Sequence, residues 1–148
     1  MNSKQEQVII YTDGACKYNP GPGGWGVFLQ RGDKISERKG GQKFTTNNQM
    51  ELTAVVKGLS KVKPGSSIVV NSDSEYVVNG ATKWLSNWKE NFWRTAGKKP
   101  VKNVELWQKI DELMQTHTIE WNWVKGHAGV EGNERADQLA NIGMAKYL

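Results

Sequence analysis

The sequence predicts an α/β fold with two parallel strands at its centre, and three observations carry that prediction. Val8-Ile9-Ile10-Tyr11 is an unbroken run of β-formers, the pattern of a central strand covered on both faces. Leu52, Val55, Val56 and Leu59 recur at i, i+3, i+4 and i+7, which sets one face of an amphipathic helix against a core. Ser67-Ile68-Val69-Val70-Asn71 is a second apolar strand, and the helix before it lets it run parallel to the first. Both strands then end alike, in Thr12-Asp13-Gly14 and Ser72-Asp73-Ser74. Asp13 and Asp73 are expected at the carboxyl ends of these strands, where open α/β sheets place ligand chemistry.

Taken in order, the first strand runs into Asn19-Pro20-Gly21-Pro22-Gly23-Gly24-Trp25-Gly26. Gly21, Gly23 and Gly26 satisfy G-x-G-x-x-G, but a dinucleotide fingerprint must open a helix, and here an apolar strand follows. The glycines are expected to serve a tight reversal and a close approach of backbone to a ligand. Gly32-Asp33 between residues 27–31 and 34–38 is a two-residue hairpin signal, making strands two and three antiparallel. Thr45-Thr46-Asn47-Asn48 offers several N-caps to the amphipathic helix, which Pro64-Gly65 ends. Glu51, three residues after Asn48, has a plain reading as a capping-box partner. Asp73 has one as the N-cap of a short helix over 75–79.

Residues 81–102 change character: Trp84, Trp88 and Trp93 are interleaved with Lys83, Lys89, Arg94, Lys98, Lys99 and Lys102. Aromatics mixed with cations suit a surface that packs on sugars or bases while neutralising phosphates. They equally suit a helix anchored by its tryptophans under a solvated lysine rim. Asn103 is a candidate cap for a helix with Leu106, Ile110, Leu113 and Met114 inside. A fifth strand alternates Ile119, Trp121 and Trp123 with Glu120 and Asn122. Lys125-Gly126-His127-Ala128-Gly129 reads as a loop carrying one of two histidines. The last helix has Ala136, Leu139, Ala140 and Gly143 on a close-packing face, with Asp137 on its flank.

At 148 residues the expectation is one domain, 1–148. No apolar run reaches the roughly 20 residues of a membrane span, and Met1 to Gln7 lacks an apolar signal core. The lone Cys16 excludes an internal disulfide. A cytoplasmic monomer is expected. Twenty Lys+Arg against fifteen Asp+Glu give a net charge of +5, which favours a polyanionic partner. Acids clustered within a basic chain suggest metal ions meeting phosphates. Hard oxygen ligands select Mg²⁺, with Mn²⁺ able to substitute. One cysteine and two histidines form no zinc pattern, and no G-x-S-x-G supports a serine nucleophile.

The ordered set Tyr11-Thr12-Asp13-Gly14 with Asn19-Pro20-Gly21, Thr46-Asn47-Asn48-Gln49-Met50-Glu51-Leu52, Ser72-Asp73-Ser74, the Trp- and Lys-rich insertion, Lys125-Gly126-His127 and Asn133-Glu134-Arg135-Ala136-Asp137 resembles bacterial-type ribonuclease HI from about residue 7 to 145. The resemblance implies a five-stranded mixed sheet flanked by helices, with strands one to three antiparallel and strands one, four and five parallel. It implies two-metal hydrolysis of the RNA strand of RNA–DNA hybrids to 5′-phosphate and 3′-hydroxyl ends, with no small-molecule cofactor. Asp13, Glu51, Asp73 and Asp137 correspond to the family's metal ligands and His127 to its assisting histidine. Cys16, Asn19, Asn47 and Asn48 correspond to residues lining the hybrid's minor groove, and Thr46 with Asn19 to a DNA-phosphate site. Residues 81–102, with Trp84, Trp88, Lys98 and Lys99, resemble the family's basic handle. Glu75 stands where bacterial members often carry glutamine; an ionised carboxylate accepts hydrogen bonds but donates none. A DNA nuclease of the same fold and a hybrid-binding module without chemistry are the competing readings.

Overall fold

The computed structural model describes residues 7–125 and 130–148. Strand β1 (Val8–Cys16) is followed by β2 (Gly21–Arg31), β3 (Lys34–Thr45), helix α1 (Asn47–Ser60) and β4 (Ser67–Ser72). Helix α2 (Glu75–Asn79) then runs through a π-helical turn (Gly80–Trp84) into α3 (Leu85–Glu90), and α4 (Val104–Thr116), β5 (Thr118–Trp123) and α5 (Glu131–Ala145) complete the chain. The sheet order is β3-β2-β1-β4-β5. β1–β2 and β2–β3 pair antiparallel, β1–β4 and β4–β5 parallel. This is the predicted mixed sheet, and its direction changes at β1, beside β4. Among the described residues no helix is long and apolar enough to cross a membrane.

Alternation along β1 sorts the two faces. Val8, Ile10 and Thr12 are buried on the side covered by α1, whose Met50, Leu52, Val55 and Leu59 are buried. Tyr11 points to the other side, against Gly132 of α5.

The glycine-rich stretch makes the expected reversal between β1 and β2; from Gly21 onward it is strand, with β2 running to Arg31 and β3 to Thr45, both longer than the hairpin signal alone indicates. The close approach these glycines permit is to α5. A Cβ on Gly24 would lie 2.1 Å from the Ala140 carbonyl oxygen, and one on Gly26 would lie 2.3 Å from that of Ala136. Ala136, Ala140 and Gly143 answer with the smallest side chains available, and all three are buried. The last helix therefore lies directly on sheet backbone.

Helix α4 also differs in detail. Asn103 precedes it in left-handed backbone (φ 59°) and makes no side-chain cap; its Nδ2 donates to the Tyr76 hydroxyl at 3.2 Å. The innermost residue is Trp107, fully buried with Ile110, while Leu106, Leu113 and Met114 are half-buried around it. Trp107 Nε1 donates to the same Tyr76 hydroxyl at 3.0 Å. Its ring meets Trp88 edge-on with centroids 5.3 Å apart. The insertion is thus pinned to the core through Trp88, and Trp84 remains 38% exposed.

Candidate active site

β1 and β4 pair in register from Val8 with Ile68 to Thr12 with Ser72. Asp13 and Asp73 therefore stand side by side just past the last β1–β4 pair; Asp73 follows the end of β4, whereas β1 runs three residues beyond Asp13, to Cys16, paired with β2 alone. Glu51 reaches them from α1 because of Gly14. A Cβ there would lie 2.5 Å from the Glu51 backbone nitrogen and 2.7 Å from the Met50 carbonyl carbon; without it the helix settles onto the end of β1. The plain readings of both acids fail. Helix α1 begins at Asn47 with Thr46 as its cap, accepting from Gln49 N at 3.1 Å, so Gln49 and not Glu51 occupies the capping-box position. Helix α2 is capped by Ser74, whose hydroxyl accepts from Val77 N at 3.2 Å.

Carboxylate oxygens of Asp13, Glu51 and Asp73 all lie within 4.8 Å of one another. Asp137, half-buried on α5, hydrogen-bonds to the Asp13 side chain. One proton must be shared for two carboxyl groups to bond. Burial, the charge of Asp73 and the Asp137 hydrogen bond together raise the Asp13 pKa to about 8, against a weaker opposing bond from Gly14 N. Burial, followed by the charges of Asp13 and Asp73, pushes Glu51 well above the ordinary carboxylate range. Glu51 Oε1 is buried and has no hydrogen-bond partner among the described residues.

A buried carboxylate oxygen without a donor is costly unless a cation meets it. The donor set is all carboxylate, in a span that a hard divalent cation could draw together. Asp13, Glu51 and Asp73 fit a hard divalent cation on these grounds, and Asp137 is joined to them through Asp13.

Beside this rim, Asn19 Oδ1 accepts from Asn47 N at 2.9 Å, joining the β1–β2 turn to the start of α1. Cys16 Sγ lies 3.4 Å from the Thr45 carbonyl oxygen, and Asn48 is exposed on the first turn of α1. The structure thus brings Cys16, Asn19, Thr46, Asn47 and Asn48 onto one surface. Glu75 is exposed in the first turn of α2, two residues beyond Asp73. Trp84, Trp88, Lys98 and Lys99 belong to the insertion that follows α2, where Lys98 and Lys99 are exposed and Trp88 is occupied by its contact with Trp107. His127 lies outside the described residues.

The RNase H family model matches residues 5–145. The chain belongs to the ribonuclease H family. Curated ribonucleases H from Bordetella pertussis and Nitrobacter hamburgensis are 57% and 54% identical to it over 139 and 146 residues. Those alignments cover 94% and 98% of this chain and 90% and 97% of the relatives. LC9-RNase H1, a type 1 RNase H with the type 2 active-site motif, superposes with a TM-score of 0.83 at 31% identity, over all of this chain and 76% of that one. LC11-RNase H1 in complex with an RNA/DNA hybrid gives a TM-score of 0.70 at 25% identity, over 94% and 97% of the two chains.

Within this ribonuclease H, sequence reasoning missed the residues that assemble the rim without touching a ligand. Gly14 and the pair Gly24 and Gly26 carry no chemistry of their own, and only the approach of α1 and α5 reveals what they do. In sequence Arg135 is distinguished only as part of the run Asn133 to Asp137. It forks onto Glu37 of β3 at 2.6 and 3.0 Å, tying α5 to the sheet two residues before Asp137.

Proposed function

We propose that this chain is a metal-dependent endoribonuclease that hydrolyses the RNA strand of RNA–DNA hybrids, leaving 5′-phosphate and 3′-hydroxyl ends. The observation that carries the reading is the convergence of Asp13, Glu51 and Asp73 within 4.8 Å, with Asp137 bonded to Asp13, at the carboxyl edge of parallel strands in a basic chain. Membership of the ribonuclease H family and the hybrid seen with LC11-RNase H1 support the substrate.

The four carboxylates hold the metal, in our reading as a two-ion site. Ions bound there supply a nucleophile drawn from water near neutral pH and countercharge for the phosphoryl and leaving oxygens. The protein supplies position. The register of β1 with β4 fixes Asp13 against Asp73, Gly14 sets the depth of Glu51, and the glycine floor sets Asp137. Cys16, Asn19, Asn47 and Asn48 line the hybrid's minor groove, where the 2′-hydroxyl separates RNA from DNA. Thr46, with Asn19, holds a DNA phosphate. Glu75 takes a hydrogen bond from a 2′-hydroxyl in place of donating one. Trp84, Lys98 and Lys99 on the handle at 81–102 grip the DNA strand, with Trp88 as its anchor. His127 relays a proton or assists product departure.

The test is cleavage of labelled RNA–DNA hybrid, duplex DNA and duplex RNA, each with Mg²⁺ and with EDTA. Cutting confined to the RNA strand of the hybrid and abolished by EDTA is expected. Cutting of duplex DNA at a comparable rate, or hybrid binding with no metal-dependent cutting, sinks the reading.

A further inference from the structure

Two aromatic side chains that neither the acidic cluster nor the groove set uses stand at the same end of the sheet. Tyr18 is 78% exposed and Phe44 is 73% exposed. Each follows a lysine, in Lys17-Tyr18 and Lys43-Phe44, and the Lys17 ammonium lies 5.4 Å from the Tyr18 ring centroid. The two sites are neighbours. A Cβ on Gly21 would lie 3.2 Å from the Tyr18 Cβ, and Gly21 pairs with Thr45, the residue after Phe44.

Both rings are held outward by irregular backbone. Tyr18 has φ 69°, a left-handed conformation that glycine adopts freely and a bulky residue does not. Register shifts from Gly21 with Thr45 to Gly23 with Gln42, so Lys43 and Phe44 together oppose Pro22. Such a bulge re-aims a side chain and recurs next to active sites. Neither ring buries itself in the fold, whereas Thr45 beside Phe44 is buried.

What surrounds the pair points to its ligand. Tyr18 immediately precedes Asn19, which bonds to Asn47 N, and Phe44 lies two residues before the cap Thr46. No acid occurs in residues 14–22 or 42–48. Two exposed rings, one with the Lys17 ammonium over it and the other preceded in sequence by Lys43, suit a partner with apolar faces spaced between anions, which describes the sugars and phosphates of a nucleic-acid strand. We infer that Lys17-Tyr18 and Lys43-Phe44 form an aromatic–cation rim that extends the hybrid-binding groove. The rings pack on sugars, and the lysines meet the flanking phosphates, of a strand running out past Asn19 and Thr46. This rests on the hybrid reading above.

The full chain is tested by equilibrium binding of a labelled RNA–DNA hybrid in EDTA, where nothing is cut, and by steady-state kinetics in Mg²⁺. Tyr18→Gly suits its backbone, and with Phe44→Ser it is expected to weaken binding about tenfold, the scale of losing aromatic stacking on a strand. KM rises by a similar factor while kcat holds. Tyr18→Phe and Phe44→Tyr keep the rings and keep the affinity. Lys17→Gln and Lys43→Gln each lower the slope of log affinity against log salt by up to about 0.9. If the parent binds and cuts hybrid but the ring-less variant binds as tightly, or the ring-keeping variants lose as much as it does, the rim is refuted and the hybrid reading stands. If the parent neither binds nor cuts hybrid, both fall.

Discussion

Asp13 sits where burial and neighbouring carboxylates raise its affinity for a proton. In an unfolded chain Asp13 and Glu51 titrate near 4; in the fold Asp13 is raised to about 8, and Glu51 is raised as well. Between those values the folded state holds protons that the unfolded state has released. The metal-free protein is therefore expected to lose stability as pH rises from about 4 to about 8. The lowered Glu37, held by Arg135, acts in the opposite sense, but only as pH falls below the ordinary carboxylate range. Unfolding temperatures in EDTA should be higher near pH 5.5 than near pH 8, and Mg²⁺ should raise them more at the higher value. A midpoint that climbs with pH in EDTA contradicts the crowded cluster. Asp13→Asn removes the repulsion and a ligand together, so the pH dependence flattens while kcat falls by roughly 10²–10³-fold or more, the scale of deleting a preorganised electrostatic group. Near-normal turnover by that variant defeats its assignment. Asp13 and Asp73 were legible because both follow an apolar run in the same way, though only β4 ends there and β1 continues to Cys16. Glu51 was harder, since its spacing from Asn48 imitates a capping box and the true cap, Thr46, shows only in the hydrogen bonds.

Among elements, α5 depends most on what it rests upon. Its small-residue stripe was legible in Ala136, Leu139, Ala140 and Gly143, but the matching floor in β2 was not, because a fingerprint-like glycine pattern carries no record of which backbone approaches it. Gly26→Ala tests the floor. Its Cβ would stand 2.3 Å from the Ala136 carbonyl oxygen and 2.7 Å from the Ala140 nitrogen, and helix backbone cannot swing aside as a side chain can. The helix must lift, at a cost of about 1–3 kcal/mol for an overpacked contact. Asp137, one residue along from Ala136, moves with it. The expected outcome is a lower unfolding temperature together with a raised Mg²⁺ requirement for cleavage, and loss of stability with an unchanged metal requirement would separate α5 from the site. In the same way Asn103 resembles a helix cap in sequence, yet it and Trp107 both donate to Tyr76. Such long-range partners leave no local signature.

Charge over the whole molecule is divided by position. A chain of net charge +5 carries a rim of carboxylates, a balance that favours a polyanionic partner once cations neutralise the acids. The insertion holds much of that positive charge. Half-buried Trp88 packs edge-on against Trp107 and Lys89 pairs with Asp111 at 3.1 Å, whereas Lys98 and Lys99 are exposed at a turn in which Thr95 N donates to the Lys99 carbonyl oxygen at 2.7 Å. That turn holds its shape through main-chain bonds, so replacing both lysines by alanine changes charge more than structure. If they meet phosphates of the DNA strand, hybrid binding by the double variant should lose up to about 0.9 in log–log salt slope for each contact removed. The deficit should shrink at high salt, where counterion release contributes least, and the unfolding temperature should stay near that of the parent. A salt slope equal to the parent's would make Lys98 and Lys99 solvated surface and leave the groove to bind the hybrid without them.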